Sequence, residues 1–284
     1  MKIDLHMHSN ISDGTATVAE IVDIVIAIGL DIFALTDHDT INGCIKIRND
    51  FVGILKENNI RFINGIEFST NDDGQEAHIL AYNFDINNSI INDLIKENGI
   101  YRKLRVTKAI KSLKEKFGIE LTADEIEYVF SMDNPSRPRI ANILIQKGYG
   151  TDVGQVLKKY LSDVSPKDKL DMCTTVKKIK KAGAVCVLAH PLDGANHNKI
   201  TYEECEKRVG ILKECGLDGI ECFYYDYEED QRIFLKSIAQ KYDLLLSGGS
   251  DYHGKNRAVT IGTLSRDNCV PNESDLTILK LLKK

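Results

Sequence analysis

The sequence predicts an α/β fold, with a parallel sheet or barrel interrupted by an inserted helical subdomain. Short β-rich runs alternate with helical patterns near the start of the 284-residue chain and again near its end, as in parallel β-α units. Between about residues 87 and 170 the strand pattern disappears and apolar residues recur at helical spacing. We therefore expect a barrel formed by residues 1–90 and 171–284, with a substrate-facing helical insertion at 91–170.

The first part of the chain predicts strand, helix, strand, helix and strand in that order. These elements are expected at residues 2–7, 18–28, 31–36, 41–57 and 60–66. Thr17 and Glu20, three residues later, form a capping-box pattern that begins the first helix after the Asp13-Gly14 turn. In the last part, helices and strands are expected to alternate at residues 176–182, 184–189, 203–214, 219–223, 230–241 and 244–247.

The composition is that of an ordinary globular protein, with 43% apolar and 28% charged residues. Asp4, His6 and His8 interrupt the N-terminal segment, which therefore resembles neither a signal peptide nor a membrane span. We expect a cytoplasmic protein with no membrane contact and no stable protein partner. The seven cysteines form no CxxC pair, and their odd number favours reduced thiols over a disulfide framework.

The net charge of −5 is unevenly distributed along the chain. Residues 93–169 carry 15 Lys and Arg against 11 Asp and Glu, a balance of +4 that leaves −9 for the remainder. An acidic body suits cation binding and a basic segment suits an anionic substrate, although ordinary variation also produces such differences. The basic side chains of the first long helix of the insertion are interpreted mainly as a solvated face, with substrate contact as the alternative. They are Arg102, Lys103, Arg105, Lys108, Lys111, Lys114 and Lys116.

Histidine and carboxylate side chains stand at the predicted strand ends. His6 and His8 share a face of the first strand, because alternate side chains of a strand point the same way. Asp13 follows in a Ser-Asp-Gly turn that can return its carboxylate toward the strand end. Later strand ends add His38, Glu67, His78, His190, Asp251 and His253. Because the carboxyl ends of parallel strands meet at one mouth, we expect most of these side chains to converge there.

This set of side chains predicts a catalytic metal centre. It includes six of the seven histidines, and His197 is the exception. Mixed imidazole and carboxylate ligands suit Zn, Mn or Fe rather than Ca, and the lack of Cys in these segments argues against a closed structural zinc site. The nine candidates exceed what one ion takes from protein, so we expect two or three divalent cations, with Mn²⁺ first and Zn²⁺ or Fe²⁺ as alternatives.

The order of these motifs resembles the polymerase and histidinol phosphatase (PHP) superfamily. The matching segments are His-x-His near the N-terminus, Thr-Asp-His-Asp at 36–39, Gly-Ile-Glu at 65–67, Ala-His-Pro at 189–191 and Ser-Asp-Tyr-His-Gly at 250–254. The helical insertion and the Arg-Pro-Arg-Ile-Ala segment at 137–141 resemble the branch of 3′,5′-nucleoside bisphosphate phosphatases and RNase AM-type 5′→3′ exoribonucleases. The resemblance implies a distorted (β/α)7 barrel with a trinuclear centre.

The resemblance also implies how the ligands are distributed. His6, His8, Glu67 and Asp251 would hold one ion, Glu67, His78 and His190 a second, and Asp13, His38 and His253 a third. Glu67 would bridge. Arg137 and Arg139 would contact the substrate, although the branch often has His where this chain has Arg139. Our hypothesis is that a metal-bridging hydroxide attacks phosphorus. We assign catalytic roles to the metal-linked residues Asp13, His38, Glu67 and His253, which would act through the ions they hold.

Together these features predict a metal-dependent phosphoesterase that acts on a small phosphorylated nucleotide or short single-stranded RNA. One alternative is a small-metabolite phosphomonoesterase such as histidinol-phosphate phosphatase, which the insertion and the Arg137 segment disfavour. Another is a metal-binding regulatory module without turnover, because a fold does not fix a function. The presence of all nine ligand types argues against that second alternative.

Overall fold

A mixed sheet of eight strands forms the body of the protein in the described part of the chain. The computed structural model describes residues 1–72, 75–131, 134–162, 169–193 and 199–282. The strands are β1 Ile3–Asp4, β2 Ile32–Leu35, β3 Arg61–Asp72, β4 Gln75–Tyr82, β5 Leu170–Asp171, β6 Val185–Leu188, β7 Gly219–Tyr224 and β8 Leu245–Gly249. Their order is β1-β2-β3-β4-β6-β7-β8, with β5 paired to β3. The predicted α/β class is confirmed.

The sheet curves into a nearly closed barrel. Along its path β4 is antiparallel to β3 and to β6, and the remaining neighbours are parallel. Hydrogen bonds join the two ends of the path, because Leu5 N donates to Gly248 O at 3.2 Å and Asp251 N donates to His6 O at 2.7 Å. The carboxyl ends of the parallel strands consequently open at one mouth, which is where ligands bind in such sheets.

Ten helices accompany these strands in the described residues. They are α1 Val18–Ile28, α2 Asn42–Asp50, α3 Val52–Glu57, α4 Ser89–Phe117, α5 Ala123–Phe130, α6 Arg137–Gln146, α7 Val153–Tyr160, α8 Met172–Lys181, α9 Tyr202–Cys215 and α10 Glu229–Lys241. The predicted capping box is present, since Glu20 N donates to Thr17 Oγ1 and Thr17 N donates to the Glu20 carboxylate. The single helix expected at 41–57 divides at Phe51, whose φ of −124° is not helical. Within the described residues, no helix combines the length and apolar character needed to span a membrane.

Helices α4 to α7 lie between β4 and β5, where the sequence predicts helices in place of strands. They form a hydrophobic cluster of their own, which includes Leu113 of α4, Val129 of α5 and Val156 of α7. Ile91 and Leu94, near the start of α4, belong instead to the main core under the sheet. Helix α4 therefore connects the two cores, which positions its middle turns relative to the barrel mouth.

The expectation of reduced thiols is wrong for one pair of cysteines. Cys173 in α8 and Cys215 at the end of α9 form a disulfide, with 5.5 Å between their Cα atoms. An odd total of cysteines does not exclude a single pair, and the contact between α8 and α9 depends on tertiary structure. The free thiols are those of Cys44, Cys186, Cys205, Cys222 and Cys269.

Breaking this disulfide is expected to lower the free energy of unfolding by about 3 kcal/mol, because a cross-link restricts the unfolded chain. The two cysteines are 42 residues apart. A Cys215→Ser variant should unfold at a lower temperature than wild type under non-reducing conditions, and dithiothreitol should cause a similar drop in wild type. Cys269→Ser, which changes an exposed free thiol, is the matched control. An unfolding temperature that dithiothreitol leaves unchanged would show that the thiols do not pair.

Candidate metal centre

The nine predicted ligand residues converge at the mouth of the barrel. They come from the segment after β1 (His6, His8), the loop before α1 (Asp13), the segment after β2 (His38), strands β3 and β4 (Glu67, His78), the segment after β6 (His190) and the segment after β8 (Asp251, His253). Only the side chain of His78 exceeds 10% exposure among them, at 12%. His197 lies outside the described residues.

Glu67 lies at the centre of the cluster and contacts its two sides through different oxygens. Its Oε2 is 3.1 Å from the Nε2 atoms of both His6 and His8. Its Oε1 is 3.0 Å from Nδ1 of His78 and 3.1 Å from Nε2 of His190. A carboxylate with each oxygen directed to a separate group can bridge two cations, which supports the bridging role implied by the resemblance.

The donor atoms form overlapping groups. One contains His6, His8, Glu67 and Asp251, another His8, Asp13, His38 and His253, and a third His38, Glu67 and His78. His190 adjoins the last, since its Nε2 is 3.3 Å from Nδ1 of His78. The first group is the ligand set that the family resemblance implies for one ion. His8 and His38 are shared between groups, a feature that the linear motifs do not show.

Three histidines have a hydrogen-bond acceptor on the nitrogen that faces away from the cluster. Nδ1 of His6 is 3.0 Å from Oε1 of Glu221, and Nε2 of His78 is 3.3 Å from Oε1 of Glu76. Nδ1 of His253 is 2.8 Å from the carbonyl oxygen of Asp251. An N–H directed to such an acceptor leaves the lone pair of the other nitrogen on the cluster side, as in carboxylate–histidine–metal arrangements.

The donor set fits divalent cations chemically. Nε2 of His6 and Nε2 of His8 are 3.1 Å apart, and the Glu67 carboxylate approaches both. Lone pairs that converge in a buried place repel one another unless protons or cations lie between them. Oδ1 of Asp251 is buried in the same space, 3.2 Å from Nε2 of His8 and 3.4 Å from Nε2 of His6. The same atoms could therefore hold two or three cations.

Without cations, the centre combines histidines of raised pKa with carboxylates of lowered pKa, whereas burial holds the pKa of His38 well below its ordinary value. Burial lowers the pKa of His8, but its hydrogen bonds to Asp251 and Glu67 outweigh burial and raise the pKa to about 9. Burial also lowers the pKa of His78, yet the charge of Glu67 raises it to about 9. Burial would raise the pKa of Glu67, but the surrounding histidines, His38 first, hold that pKa well below its ordinary value.

Cation binding is therefore expected to release protons and to strengthen as the pH rises. His8 and His78, with pKa values of about 9, are protonated at pH 7.5, whereas an imidazole must be neutral to bind a metal. Mn²⁺ titrations by calorimetry in two buffers of different ionisation enthalpy should show release of at least about one proton per chain at pH 7.5. Affinity should increase between pH 6.5 and 9 and level off above it. Affinity independent of pH would contradict this assignment.

A glycine next to β1 permits the close approach of the strands that carry the ligands. A Cβ on Gly249 would lie 2.2 Å from Cβ of His6, closer than any real contact. Two residues later the chain adopts a left-handed conformation at Asp251, with φ of 50°, and His190 has φ of 27°. Non-glycine residues rarely adopt such conformations, and those that do are concentrated at functional sites.

Asp37 and Asp39, which flank His38, contact the surrounding loops. Asp37 accepts hydrogen bonds from Ser9 N at 2.8 Å and from Ser12 Oγ at 2.6 Å, and so holds the loop that carries Asp13. Asp39 accepts from the backbone N of Ser69 at 2.9 Å and pairs with Arg102. These contacts support an orienting role for both carboxylates rather than direct ligation.

A cavity adjoins the ligand cluster, and we call it the arginine cleft. Its walls include Arg102 and Arg105 of α4 and Arg137 of α6, together with His78 and His190 of the cluster. Arg102 and Arg105 are buried, although the sequence suggests a mainly solvated face for the basic residues of α4. Burial first, and then the neighbouring charge of Arg102, lowers the pKa of Arg105 to about 10. The cleft therefore brings three guanidinium groups together, beside the carboxylates of Asp13, Glu76 and Asp193 that also line it.

The two arginines predicted to contact substrate have different surroundings. Arg137 lines the arginine cleft, where its Nη2 is 3.6 Å from Oε2 of Glu76. Arg139 is buried, and its guanidinium donates to the carbonyl oxygens of Ser12, at 2.7 Å, and Asn10, at 2.8 Å. Those bonds hold the loop that presents Asp13. Substrate contact by Arg139 stays a prediction, while its described contacts are those of a positioning residue.

Several residues of the site were not identified from the sequence. Glu221 is fully buried in β7 and contacts both the His6 ring and the His190 backbone N. A glutamate within an otherwise apolar strand is the signal that could have identified it, because charged residues are seldom buried without a partner. Glu76 precedes His78 by two residues, which places both on one face of β4. Arg257 pairs with Asp251 from a loop that has no recognisable pattern.

Three tyrosines at the end of β7 and just after it, Tyr224, Tyr225 and Tyr227, differ in exposure. Tyr224 and Tyr227 are almost fully buried, and Tyr224 donates its hydroxyl to Oδ2 of Asp251 at 3.0 Å. Neither ring is accessible for stacking on a base. Tyr225 is partly exposed and lines a second cavity that contains His253 and Asp251. Of the three, only Tyr225 can therefore contact a ligand directly.

Comparison with known proteins agrees with this geometry. The PHP domain family model matches residues 4–247. The chain belongs to the PHP family. It is 33% identical over 256 residues to the 5'-3' exoribonuclease of Haemophilus influenzae, with 89% of this chain and 90% of that protein covered. It is 28% identical over 263 residues to the 3',5'-nucleoside bisphosphate phosphatase of Chromobacterium violaceum, with 88% and 87% covered.

A solved structure of a PHP-like protein shares the fold. The crystal structure of a protein from Bifidobacterium adolescentis, assigned as a metal-dependent phosphoesterase, superposes with a TM-score of 0.83 at 25% identity. The superposition covers 99% of this chain and 95% of that one. This PHP protein is therefore a metal-dependent phosphoesterase, and its His, Asp and Glu clusters are capable of holding the metal. Asp251 and His253 follow the matched family segment, and the fold returns them to the cluster.

Proposed function

We propose that this PHP enzyme hydrolyses the 3′-phosphate ester of a nucleotide that carries a 5′-phosphate. Its substrate would be a 3′,5′-nucleoside bisphosphate or the first nucleotide of a short 5′-phosphorylated RNA. The observation that carries the proposal is the arginine cleft, which shares walls with the ligand cluster. His78 and His190 of the cluster and Arg105 and Arg137 line the same cavity.

The arginine cleft suits the phosphate that is not cleaved. Guanidinium groups recognise phosphate oxygens through paired charge-assisted hydrogen bonds. Arg102 and Arg137 both lower the pKa of Arg105, after burial, so these cations repel one another and a dianion would relieve that repulsion. Arg102 pairs with Asp39 and donates to Ser69 Oγ at 2.9 Å. We propose Arg105 and Arg137 as the phosphate contacts, because both line the arginine cleft beside His78 and His190 of the cluster.

The same binding mode accounts for two reactions. With the 5′-phosphate in the arginine cleft, the 3′-phosphorus of that nucleotide would lie over the ligand cluster. Hydrolysis breaks the 3′-oxygen–phosphorus bond: water adds hydroxyl to phosphorus and its proton goes to the 3′-oxygen. A bisphosphate gives a nucleoside 5′-phosphate and free phosphate. An RNA gives the same nucleotide and a shortened chain that again begins with a 5′-phosphate, so cleavage proceeds from 5′ to 3′.

We assign all nine cluster residues as metal ligands, with Glu67 shared between cations. When bound, divalent cations, Mn²⁺ being our first expectation, would activate water and neutralise charge on the phosphoryl oxygens. Asp13, His38 and His253 line the second cavity together with Pro138 of the insertion. They are proposed to act with Glu67 through the metals. The names of the two relatives, an exoribonuclease and a bisphosphate phosphatase, agree with this substrate class.

The test is hydrolysis by Mn²⁺-reconstituted protein of adenosine 3′,5′-bisphosphate, a 5′-phosphorylated hexaribonucleotide and histidinol phosphate. We expect release of phosphate from the first and stepwise shortening of the second, with both activities lost in His8→Ala. His8 is completely buried within the cluster, so this change removes a ligand without altering the surface. Hydrolysis of histidinol phosphate alone would replace the nucleotide assignment with a small-metabolite phosphatase.

A further inference from the structure

We infer that the surface beyond the metal centre, on the side opposite the arginine cleft, binds the RNA that lies downstream of the cleaved nucleotide. This surface, which we call the downstream groove, is lined by Tyr225, Lys255, Arg257, Thr260 and Arg266. The inference rests on the proposed function, because it concerns the part of an RNA substrate that a nucleoside bisphosphate lacks.

Three cavities follow one another across the mouth of the barrel. The arginine cleft shares Asp13, His38, His78 and His190 with the central cavity over the ligand cluster. The central cavity in turn shares Tyr225 and Arg257 with the downstream groove. The ligand cluster therefore lies between the arginine cleft and the downstream groove, which is where the scissile phosphate of a chain bound across all three would lie.

The order of the cavities matches the 5′-to-3′ direction of the RNA strand that the proposed reaction requires. If the 5′-phosphate occupies the arginine cleft, the nucleotide on the far side of the scissile phosphate must leave the centre over Tyr225 and Arg257. An aromatic side chain at this point suits a base, because stacking on aromatic rings is tolerant of sequence. The guanidinium of Arg257 lies 5.4 Å from the Tyr225 ring, which holds the two side chains together.

The charge of the downstream groove suits a phosphate backbone in an otherwise acidic protein. Three cations line it, Lys255, Arg257 and Arg266, against one carboxylate. That carboxylate, Asp226, is paired with Lys199 at 2.9 Å. Two of the cations also have partners, Arg257 pairing with Asp251 and Arg266 with Glu228 at 3.4 Å. Lys255 and Arg266 are exposed, so they can reach the backbone of a bound strand.

The groove has an acidic end. Beyond Arg266 the adjoining surface is lined by Glu228, Glu229 and Asp230, at the start of α10. Carboxylates there would repel further phosphates. The downstream groove therefore accommodates a short strand, and we expect the gain in affinity with RNA length to level off after a few nucleotides.

The experiment compares a bisphosphate with RNA in charge-reversal variants of the groove. In Lys255→Glu/Arg266→Glu, kcat/KM for a 5′-phosphorylated hexaribonucleotide should fall about tenfold, while that for adenosine 3′,5′-bisphosphate changes less than about twofold. The dependence of hexaribonucleotide binding on salt should also weaken, because fewer cations neutralise the backbone. Lys255→Glu alone should show a smaller effect of the same kind. Lys96→Glu/Lys207→Glu, on exposed lysines outside these cavities, is the charge-matched control.

A binding measurement separates this inference from the proposed function. It uses fluorescence anisotropy of a labelled 5′-phosphorylated hexaribonucleotide with metal-free protein. Weaker binding in the groove variants, with unchanged binding in the control, supports the downstream groove. This holds even if no substrate is hydrolysed, because absence of hydrolysis would overturn only the proposed function. Equal kcat/KM and equal binding in the groove variants and the control would overturn the downstream groove and leave the proposed function standing.

Discussion

Replacing Glu67 with Gln is expected to lower phosphate release by about a thousandfold and to remove at least one metal ion per chain. Both oxygens of Glu67 are engaged, Oε2 with His6 and His8 and Oε1 with the opposite group at His78. A Gln side chain must direct its NH2 to one of these groups, whichever way it is oriented. An amide NH2 cannot ligate a metal, and the negative charge shared by the cations is lost as well.

The measurement is the metal content of Glu67→Gln by mass spectrometry, alongside kcat on adenosine 3′,5′-bisphosphate. Glu57→Gln, at the exposed end of α3, makes the same chemical change outside the site. That control should keep both metal content and activity. Full metal content and more than a tenth of the activity in Glu67→Gln would show that Glu67 does not bridge, and the shared-ligand arrangement would have to be abandoned.

Much of the fold could be predicted from local sequence signals. Helix α1 begins where Thr17 and Glu20 predict, because a capping box is determined by residues within one turn. The strand expected at 60–66 instead continues to Asp72, since it pairs with β4 along its length. Apolar patterns do not reveal strand direction, so the antiparallel placement of β4 could not be predicted. The pairing of Cys173 with Cys215 depends on the same kind of long-range contact.

The candidate ligands could be identified because metal-binding side chains are placed at strand ends, and strand ends are visible in the sequence. The residues that orient these ligands could not be identified from the sequence. Glu221 reaches His6 across 215 positions, and Arg257 reaches Asp251 from an irregular loop. The arginine cleft shows the same limit: Arg102 and Arg105 look like part of a basic, solvated helix until the position of α4 over the barrel mouth buries them.

Arg105→Ala is expected to reduce kcat/KM for adenosine 3′,5′-bisphosphate by about a hundredfold, mainly through a higher KM. In the proposed binding mode Arg105 contacts the 5′-phosphate, and a charge-assisted hydrogen bond to a buried anion contributes about 1.5–3 kcal/mol. Adenosine 3′-monophosphate lacks that phosphate, so its hydrolysis should change less than about threefold. Wild type should accordingly prefer the bisphosphate, and the variant should lose that preference.

A matched replacement on the same helix distinguishes substrate recognition from support of the fold. Lys108→Ala removes an exposed cation one turn from Arg105 and should leave both substrates unaffected. If Arg105→Ala slowed the hydrolysis of both substrates equally, its role would be to maintain the position of α4 against the cluster, and the 5′-phosphate would have to bind elsewhere. Loss confined to the bisphosphate would instead assign the arginine cleft to the 5′-phosphate, since only that group differs between the two substrates.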